Sequence, residues 1–482
     1  MTTLNKSILS HREGWAVGLL ALLPVLTSWD RSGRGFEERW LLLLLGIVTW
    51  IGACFLQKKY GRERVVCRSI WRDTLLYMAV IFLGLLLIQW WNSGRELVFN
   101  QEAWKWEYGP PPYPTWPSSF NRGEASQMIC WFFPAWIVLL AVRHWRWSQK
   151  GILLLFYVLL INAGLLSILG ILQFVSGTSD QFWFHPLPGY FFSAFGYPNH
   201  AASFFVLNFC LGCGLFFHGV RHHGPQVWRW IALGCILLCF SGALLSLSRT
   251  GIAMAFGVLA FVLAYGTVHL FRRGTPVQKL NVGLGGLALA VLIFWTLYSV
   301  AGGRIVREVE RTYEELSITR LVNPPDRSLT GIRYPFWKAA VDISRDYPLF
   351  GCGGWGFRYL RKIYIPRETW KTSKGYANVH NDPLNFLVEF GAIGFACLSG
   401  AILIVVFPLR QKRCFNRNPL FLFLILGLGC VVAHSIIDLP FRCPAILYYW
   451  LMLLALVGEG GRQHVFDYQQ GLSHDGKQRY RE

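Results

Sequence analysis

Gly151-Ile152-Leu153-Leu154-Leu155-Phe156-Tyr157-Val158-Leu159-Leu160-Ile161-Asn162-Ala163-Gly164-Leu165-Leu166-Ser167-Ile168-Leu169-Gly170-Ile171-Leu172-Gln173-Phe174-Val175 carries not one charged side chain. A helix needs ~20 mostly apolar residues to cross the hydrocarbon layer. Backbone groups in lipid must be satisfied within their own segment, so the run reads as a membrane-spanning helix. Similar runs recur at 41–55, 75–91, 230–247 and 282–300. Of the 482 residues, 54% are hydrophobic and only 15% charged, too little polar surface for a soluble chain of this length. The mean hydropathy of +0.37 agrees.

Spans are expected near 15–29, 40–56, 74–91, 128–142, 151–175, 201–220, 227–247, 251–270, 280–300, 383–409, 420–437 and 444–457. The fold class is therefore an all-α polytopic membrane bundle of about twelve transmembrane helices, with a large periplasmic loop between spans 9 and 10. No small-residue cleavage site follows the first run, so no cleavable signal peptide is expected. The basic connections are 58–64, 143–150, 221–229, 272–273 and 410–417. They alternate along the chain, which by the positive-inside rule places the N-terminus, and with an even span number the C-terminus, in the cytoplasm. The expected division is 1–300 for spans 1–9, 301–382 for the outer loop, 383–460 for spans 10–12 and 461–482 for a cytoplasmic tail.

The net charge of +20 is spread over helix ends, and no compact basic domain is present, so no nucleic-acid partner is expected. Most of the 12 Cys lie inside apolar runs, where they read as small packing residues; Cys210 and Cys213 form a CxxC of this kind. Cys352 alone falls in the outer loop, so no disulfide framework is implied there.

Chemistry-bearing residues collect at one face. Arg249, in Leu247-Ser248-Arg249-Thr250-Gly251, sits between two spans, where a permanent cation needs an anion or water; a snorkelling Arg is the plain alternative. Arg333 lies in the outer loop, where taken alone it reads as a solvated charge. His380 stands at the mouth of span 10, as a general base or as an interfacial capping residue. Asp382 is placed to cap that helix, with Pro383 in its first turn. Glu389, inside the span, is a functional carboxylate or the partner of a buried Arg. Asn199, Asn381, His434 and Asp438 complete the set. Paired guanidinium forks suit a phosphate, and no DxD-like pair or His/Cys cluster marks a metal site. The Pro- and Trp-rich stretch 103–117 either stacks on sugars or connects spans at the interface.

Four motifs resemble those of the O-antigen ligase and O-antigen polymerase superfamily. They are Phe195-Gly196-Tyr197-Pro198-Asn199-His200; Ser246-Leu247-Ser248-Arg249-Thr250-Gly251; Arg333-Tyr334-Pro335-Phe336-Trp337 with Pro348-Leu349-Phe350-Gly351-Cys352-Gly353; and His380-Asn381-Asp382-Pro383-Leu384-Asn385-Phe386 with Glu389-Phe390-Gly391-Ala392-Ile393-Gly394. The trailing 434–440 fits too. The resemblance spans roughly 190–457. It implies a membrane C-type, inverting, metal-independent glycosyltransferase of the bacterial inner membrane, without cofactors. Such an enzyme moves a glycan from an undecaprenyl-pyrophosphate-linked donor to an acceptor, either lipid A core or a growing glycan, on the periplasmic face. Carried over, Arg249 and Arg333 hold the pyrophosphate and His380 activates the acceptor hydroxyl. The other readings are a polymerase of the same superfamily, a lipid-linked glycan transporter, and a cysteine transpeptidase built on Cys352.

Overall fold

The computed structural model describes residues 11–31, 40–58, 70–102, 104–145, 147–187, 189–273, 303, 329–365, 377–410 and 418–462. Helices α1 (His11–Trp29), α2 (Trp40–Lys58), α3 (Thr74–Trp91), α4 (Arg122–His144), α5 (Gln149–Ser176), α6 (Pro198–Arg221), α7 (Gln226–Leu245) and α8 (Arg249–Arg273) come first. After the segment around 300 follow α9 (Leu329–Asp346), α10 (Gly356–Tyr364), α11 (Asp382–Arg410), α12 (Pro419–Ser435) and α13 (Pro444–Arg462). Among the described residues, seven helices are long and apolar enough to cross a membrane: α3 to α8 and α11. Shorter apolar stretches occupy α1, α2, α12 and α13, where further spans were expected. The span expected at 280–300 lies outside the described residues. The chain is a polytopic helical membrane protein.

Burial sorts the helices into layers. About 78% of the apolar window of α4 and of α6 is buried, against 22% in α8, so α4 and α6 are interior and α8 peripheral. The apolar stretch of α13 is buried almost throughout and packs on α1, α4 and α11, while α6 packs on α5, α7, α8 and α12. On the outside, α3 exposes Val80, Ile81 and Leu87, an apolar face that belongs against lipid tails. Some polar groups inside the bundle pair across helices. The Trp29 indole N–H donates to Asn162 Oδ1 at 2.7 Å, and Asn162 Nδ2 donates to the Tyr449 hydroxyl at 2.6 Å. This clasp ties α1, α5 and α13 together where close-packed helices have little hydrophobic drive to associate.

Two small antiparallel hairpins cap one end: β1 (Leu97–Asn100) with β2 (Lys105–Tyr108), and β3 (Asp180–Gln181) with β4 (His185–Pro186). The Pro-rich stretch after β2 is an ordered turn. The buried Asn92 donates from Nδ2 to the carbonyls of Tyr113 (2.8 Å), Trp116 (3.2 Å) and Pro117 (3.2 Å). Above the bundle at this end sits a second apolar core of Phe336, Ala340, Ile343, Cys352, Phe357, Val379 and Val388. Thus the described parts of the expected outer loop fold, with α9 and α10 as helices. Arg333, expected on a loop, lies in α9.

The helix at the expected span 383–409 is not continuous. It is broken at Gly391, whose φ of 63° and ψ of −170° lie in a region essentially open to glycine alone. The segment 348–353 fills the break. Cys352 N and Gly353 N donate to the Val388 and Glu389 carbonyls at 2.9 Å each, while Ala392 N and Ile393 N donate to the Pro348 and Leu349 carbonyls at 2.8 and 3.1 Å. Each orphaned helix group in lipid otherwise costs several kcal/mol, about what an unsatisfied buried amide costs. The two glycine-rich motifs, 348–353 and 389–394, are therefore one interlocked joint.

Candidate active site

Asp438 is the centre of the site. It follows α12, is 1% exposed, and is met by four side chains and one backbone N–H. The Tyr197 hydroxyl donates to it at 3.0 Å, Asn199 Nδ2 donates to it, and Leu439 N closes on Oδ1 at 2.8 Å. Arg333 Nη2 lies 3.4 Å from Oδ2, and His380 Nδ1 lies 3.4 Å from Oδ1. A buried carboxylate is tolerated only when so surrounded. Burial by itself would raise its carboxyl, but His380, His434 and Arg333 outweigh that and hold it well below the usual carboxylate range. Burial, then the neighbouring Asp438 charge, pushes the Tyr197 phenol up, so Tyr197 stays a neutral donor.

Each partner is placed by local structure. Tyr197 and Asn199 open α6, with Pro198 in its first turn. Ser248 donates to Asn199 Oδ1 at 2.6 Å and caps Gly251 N at 3.2 Å, so Arg249, the first residue of α8, starts one residue from this network. The tight turn before it has Leu247 at a φ of 56°. His380 also has a positive φ, 54°, a conformation a non-glycine residue holds only when its surroundings over-determine it. Its neighbours do so: Val379 N meets Asn385 Oδ1 at 3.4 Å, and Asn385 Nδ2 donates to Glu389 Oε1 at 3.1 Å.

Asn381, rather than Asp382, caps α11: Leu384 N donates to Asn381 Oδ1 at 2.9 Å. Asp382 instead accepts from Phe441 N at 2.8 Å, and its own N donates to the Asp438 carbonyl at 3.2 Å. It thereby joins the His380 segment to the Asp438 segment. Glu389 pairs with Arg442, whose guanidinium lies over the Trp355 ring at 4.8 Å. Of its two sequence readings, the partner of a buried Arg is the one the structure bears out. His434 Nδ1 bonds the Ser203 hydroxyl at 2.6 Å, one turn behind Asp438.

Arg333, His380, Asn199 and Asp438 thus meet directly, while Arg249 adjoins through Ser248. Glu389, Asn381, Asp382 and His434 form the frame. Sequence reasoning passed over Tyr197 and Arg442. Tyr197 stood inside a quoted motif, and an intramembrane acid such as Glu389 demands a cation, which Arg442 at the foot of the last apolar run supplies. Cys352 is fully buried, and burial, then the Glu389 charge, pushes its thiol up. That is the opposite of what a cysteine nucleophile needs. Among the described residues no group of three or more His, Cys, Asp or Glu is placed to hold a metal ion.

Arg333 and His380 keep 15% and 13% of their side chains exposed, against 1% for Asp438. The arrangement can therefore present a cation and an oriented imidazole to a ligand while the carboxylate stays sealed. Beside it an apolar groove of about 240 Å³ starts at Asp382, Pro383 and Phe441 and runs down to Ile402 and Leu451 between α4, α11, α12 and α13.

Fold and site together define a multi-pass membrane protein with a polar reaction-type centre at one end of its bundle. Residues 234–399 match the family model described as O-Antigen ligase, and over that segment the chain is similar to the O-antigen ligase superfamily. The matched segment includes Arg249, Arg333, His380 and Glu389 and ends before Asp438. The chain is also similar to an uncharacterized protein of Haemophilus influenzae, 25% identical over 138 residues, which is 28% of this chain. The match covers about a third of that relative's length (32%).

Proposed function

We propose that this protein is a membrane glycosyltransferase that moves an undecaprenyl-pyrophosphate-linked glycan to an acceptor sugar hydroxyl on the outer face of the bacterial inner membrane. The observation that carries the reading is the meeting of Arg333 and His380 on the buried Asp438. Asp438 beside Nδ1 holds that nitrogen protonated and leaves Nε2 as the base. His380 takes the proton of the acceptor hydroxyl as its oxygen attacks the anomeric carbon, and the bond to the pyrophosphate breaks on the opposite face, inverting that centre. Undecaprenyl pyrophosphate leaves, its developing charge met by Arg333 and Arg249. The apolar groove starting at Asp382 suits the prenyl chain. No step draws on a metal or a cofactor. The expected topology, with both termini cytoplasmic and 301–382 outside, puts the site on the side where such donors are presented.

The test is transfer from a labelled lipid-linked glycan with purified protein in lipid. His380→Ala should lower the rate about 10²–10⁴-fold, the usual share of a general base, with donor binding retained. Transfer at the wild-type rate by His380→Ala would remove the proposal. Supplying the donor with and without lipid A core separates two acceptors: transfer to the core marks a ligase, and lengthening of carrier-linked chains alone marks a polymerase.

A further inference from the structure

A second pocket opens at the same end of the bundle, away from Asp438. It has a volume of about 240 Å³ and is bounded by the last turns of α5 and by the loop that follows β4. Its floor is Gln173, 2% exposed, and Phe191, 8% exposed; Gly177, Ser179 and Gly189 form an exposed rim. Both polar atoms of the Gln173 amide, Nε2 and Oε1, are buried with no hydrogen-bond partner among the described residues. A buried amide with donor and acceptor both vacant is rare, because leaving them unmade is costly. It marks a place where something else supplies the bonds.

The lining states the chemistry of that ligand. No residue bounding the pocket carries a formal charge, so an anionic group such as phosphate has no counter-ion there. Around the vacant amide stand Phe174, Tyr190, Phe191 and the Ser179 hydroxyl. One amide that both gives and accepts, with flat aromatic faces beside it, matches a neutral ring carrying hydroxyls on its edge and C–H groups on its face. Liquid water occupies about 30 Å³ per molecule, so the space takes several waters or one such ring. The pocket is also built. Gln181 Nε2 donates to the Ser193 carbonyl at 3.1 Å, Ser193 donates to the Leu166 carbonyl at 2.6 Å, and the Tyr190 hydroxyl donates to the Leu245 carbonyl. Leu245 ends α7, three residues before the Ser248 that binds Asn199 in the charged cluster.

We infer that this pocket is a monosaccharide subsite for a neutral pyranose, with Gln173 as its hydrogen-bonding floor. The subsite deepens the transfer reading, on which its role as a holder of one glycan residue rests, but its occupancy is measurable without any transfer. The experiment is saturation-transfer NMR on the full chain in lipid nanodiscs, with methyl β-D-glucoside, methyl α-L-rhamnoside and N-acetylglucosamine as probes and inorganic phosphate as the charged control. At least one pyranose should bind saturably and phosphate should not displace it. Gln173→Leu should weaken binding roughly tenfold or more with a melting temperature equal to or above that of the parent, since an unsatisfied amide is removed. Ser179→Trp, at the exposed rim, should block binding by filling the mouth, and decides the matter if Gln173→Leu fails to fold. No saturable binding of any pyranose, or binding untouched by both substitutions, overturns the subsite and leaves a water-filled cavity. If pyranose binding stands while transfer is absent, the transfer reading fails and the subsite remains.

Discussion

At the scale of single residues, the site is organised around a carboxylate rather than around its cations. Asp438 meets Tyr197, Asn199, Arg333 and His380, and its value follows from being ionised where burial disfavours ions. Its pKa in the folded protein lies below the unfolded reference of about 3.9, so its contribution to stability is full above that reference and is lost as pH falls through the lower folded value. The gap in melting temperature between the parent and Asp438→Asn should therefore not narrow from pH 8 to pH 5, and should close only below about pH 4. A gap already closing at pH 6 would mean that Asp438 titrates as an ordinary acid. His380 and Arg249 stood out in the sequence because charged groups are scarce beside apolar runs, whereas Arg333 stood out only through the motif resemblance. Asp438 stood only among the helpers, since nothing in a linear sequence says which acid the cations share. The removal of Cys352 from consideration came from burial, which composition does not report.

At the scale of elements, the decisive feature is the joint between the broken α11 and the segment 348–353. A Cβ on Gly391 would stand 2.4 Å from the Leu349 carbonyl carbon, and one on Gly351 would stand 2.3 Å from the Glu389 carbonyl carbon. Neither is a flexible side chain that can swing aside. Gly391→Ala should thus destabilise the protein by more than the about 1–3 kcal/mol of backbone strain alone, read as a lower melting temperature in detergent. A variant that melts with the parent would show the joint to be slack. The break matters to chemistry because Glu389, two residues before it, anchors Asn385 and so the His380 segment. Sequence periodicity detected α11 as apolar and long. It did not detect the break, because the groups that fill it come from a segment roughly forty residues upstream.

At the scale of the whole molecule, the helix connections that carry basic residues, α4 to α5 and α6 to α7, lie at the end opposite Asp438. Charge asymmetry of this kind sets orientation. A cysteine placed at His223 should react with a membrane-impermeant thiol reagent only after lysis, and one at Ser179 should react in intact spheroplasts. The reverse pattern would put the Asp438 cluster in the cytoplasm and end the transfer proposal.

By itself the sequence determined that this chain is a polytopic helical membrane protein, and it pointed to unusual charges near the ends of its apolar runs. Those properties are local or additive: a run of apolar residues prefers lipid wherever its neighbours lie, and a charge is costly at the boundary regardless of partner. Only the tertiary structure decided that Arg333 rides a helix, that Glu389 answers Arg442, that Asn381 caps α11 while Asp382 ties two segments, and that Asp438 is the shared anion. The Glu389–Arg442, Asp382–Phe441 and Asp438 contacts are pairings between residues distant in the chain, and their energy exists only once packing has excluded water and left the groups no other partner.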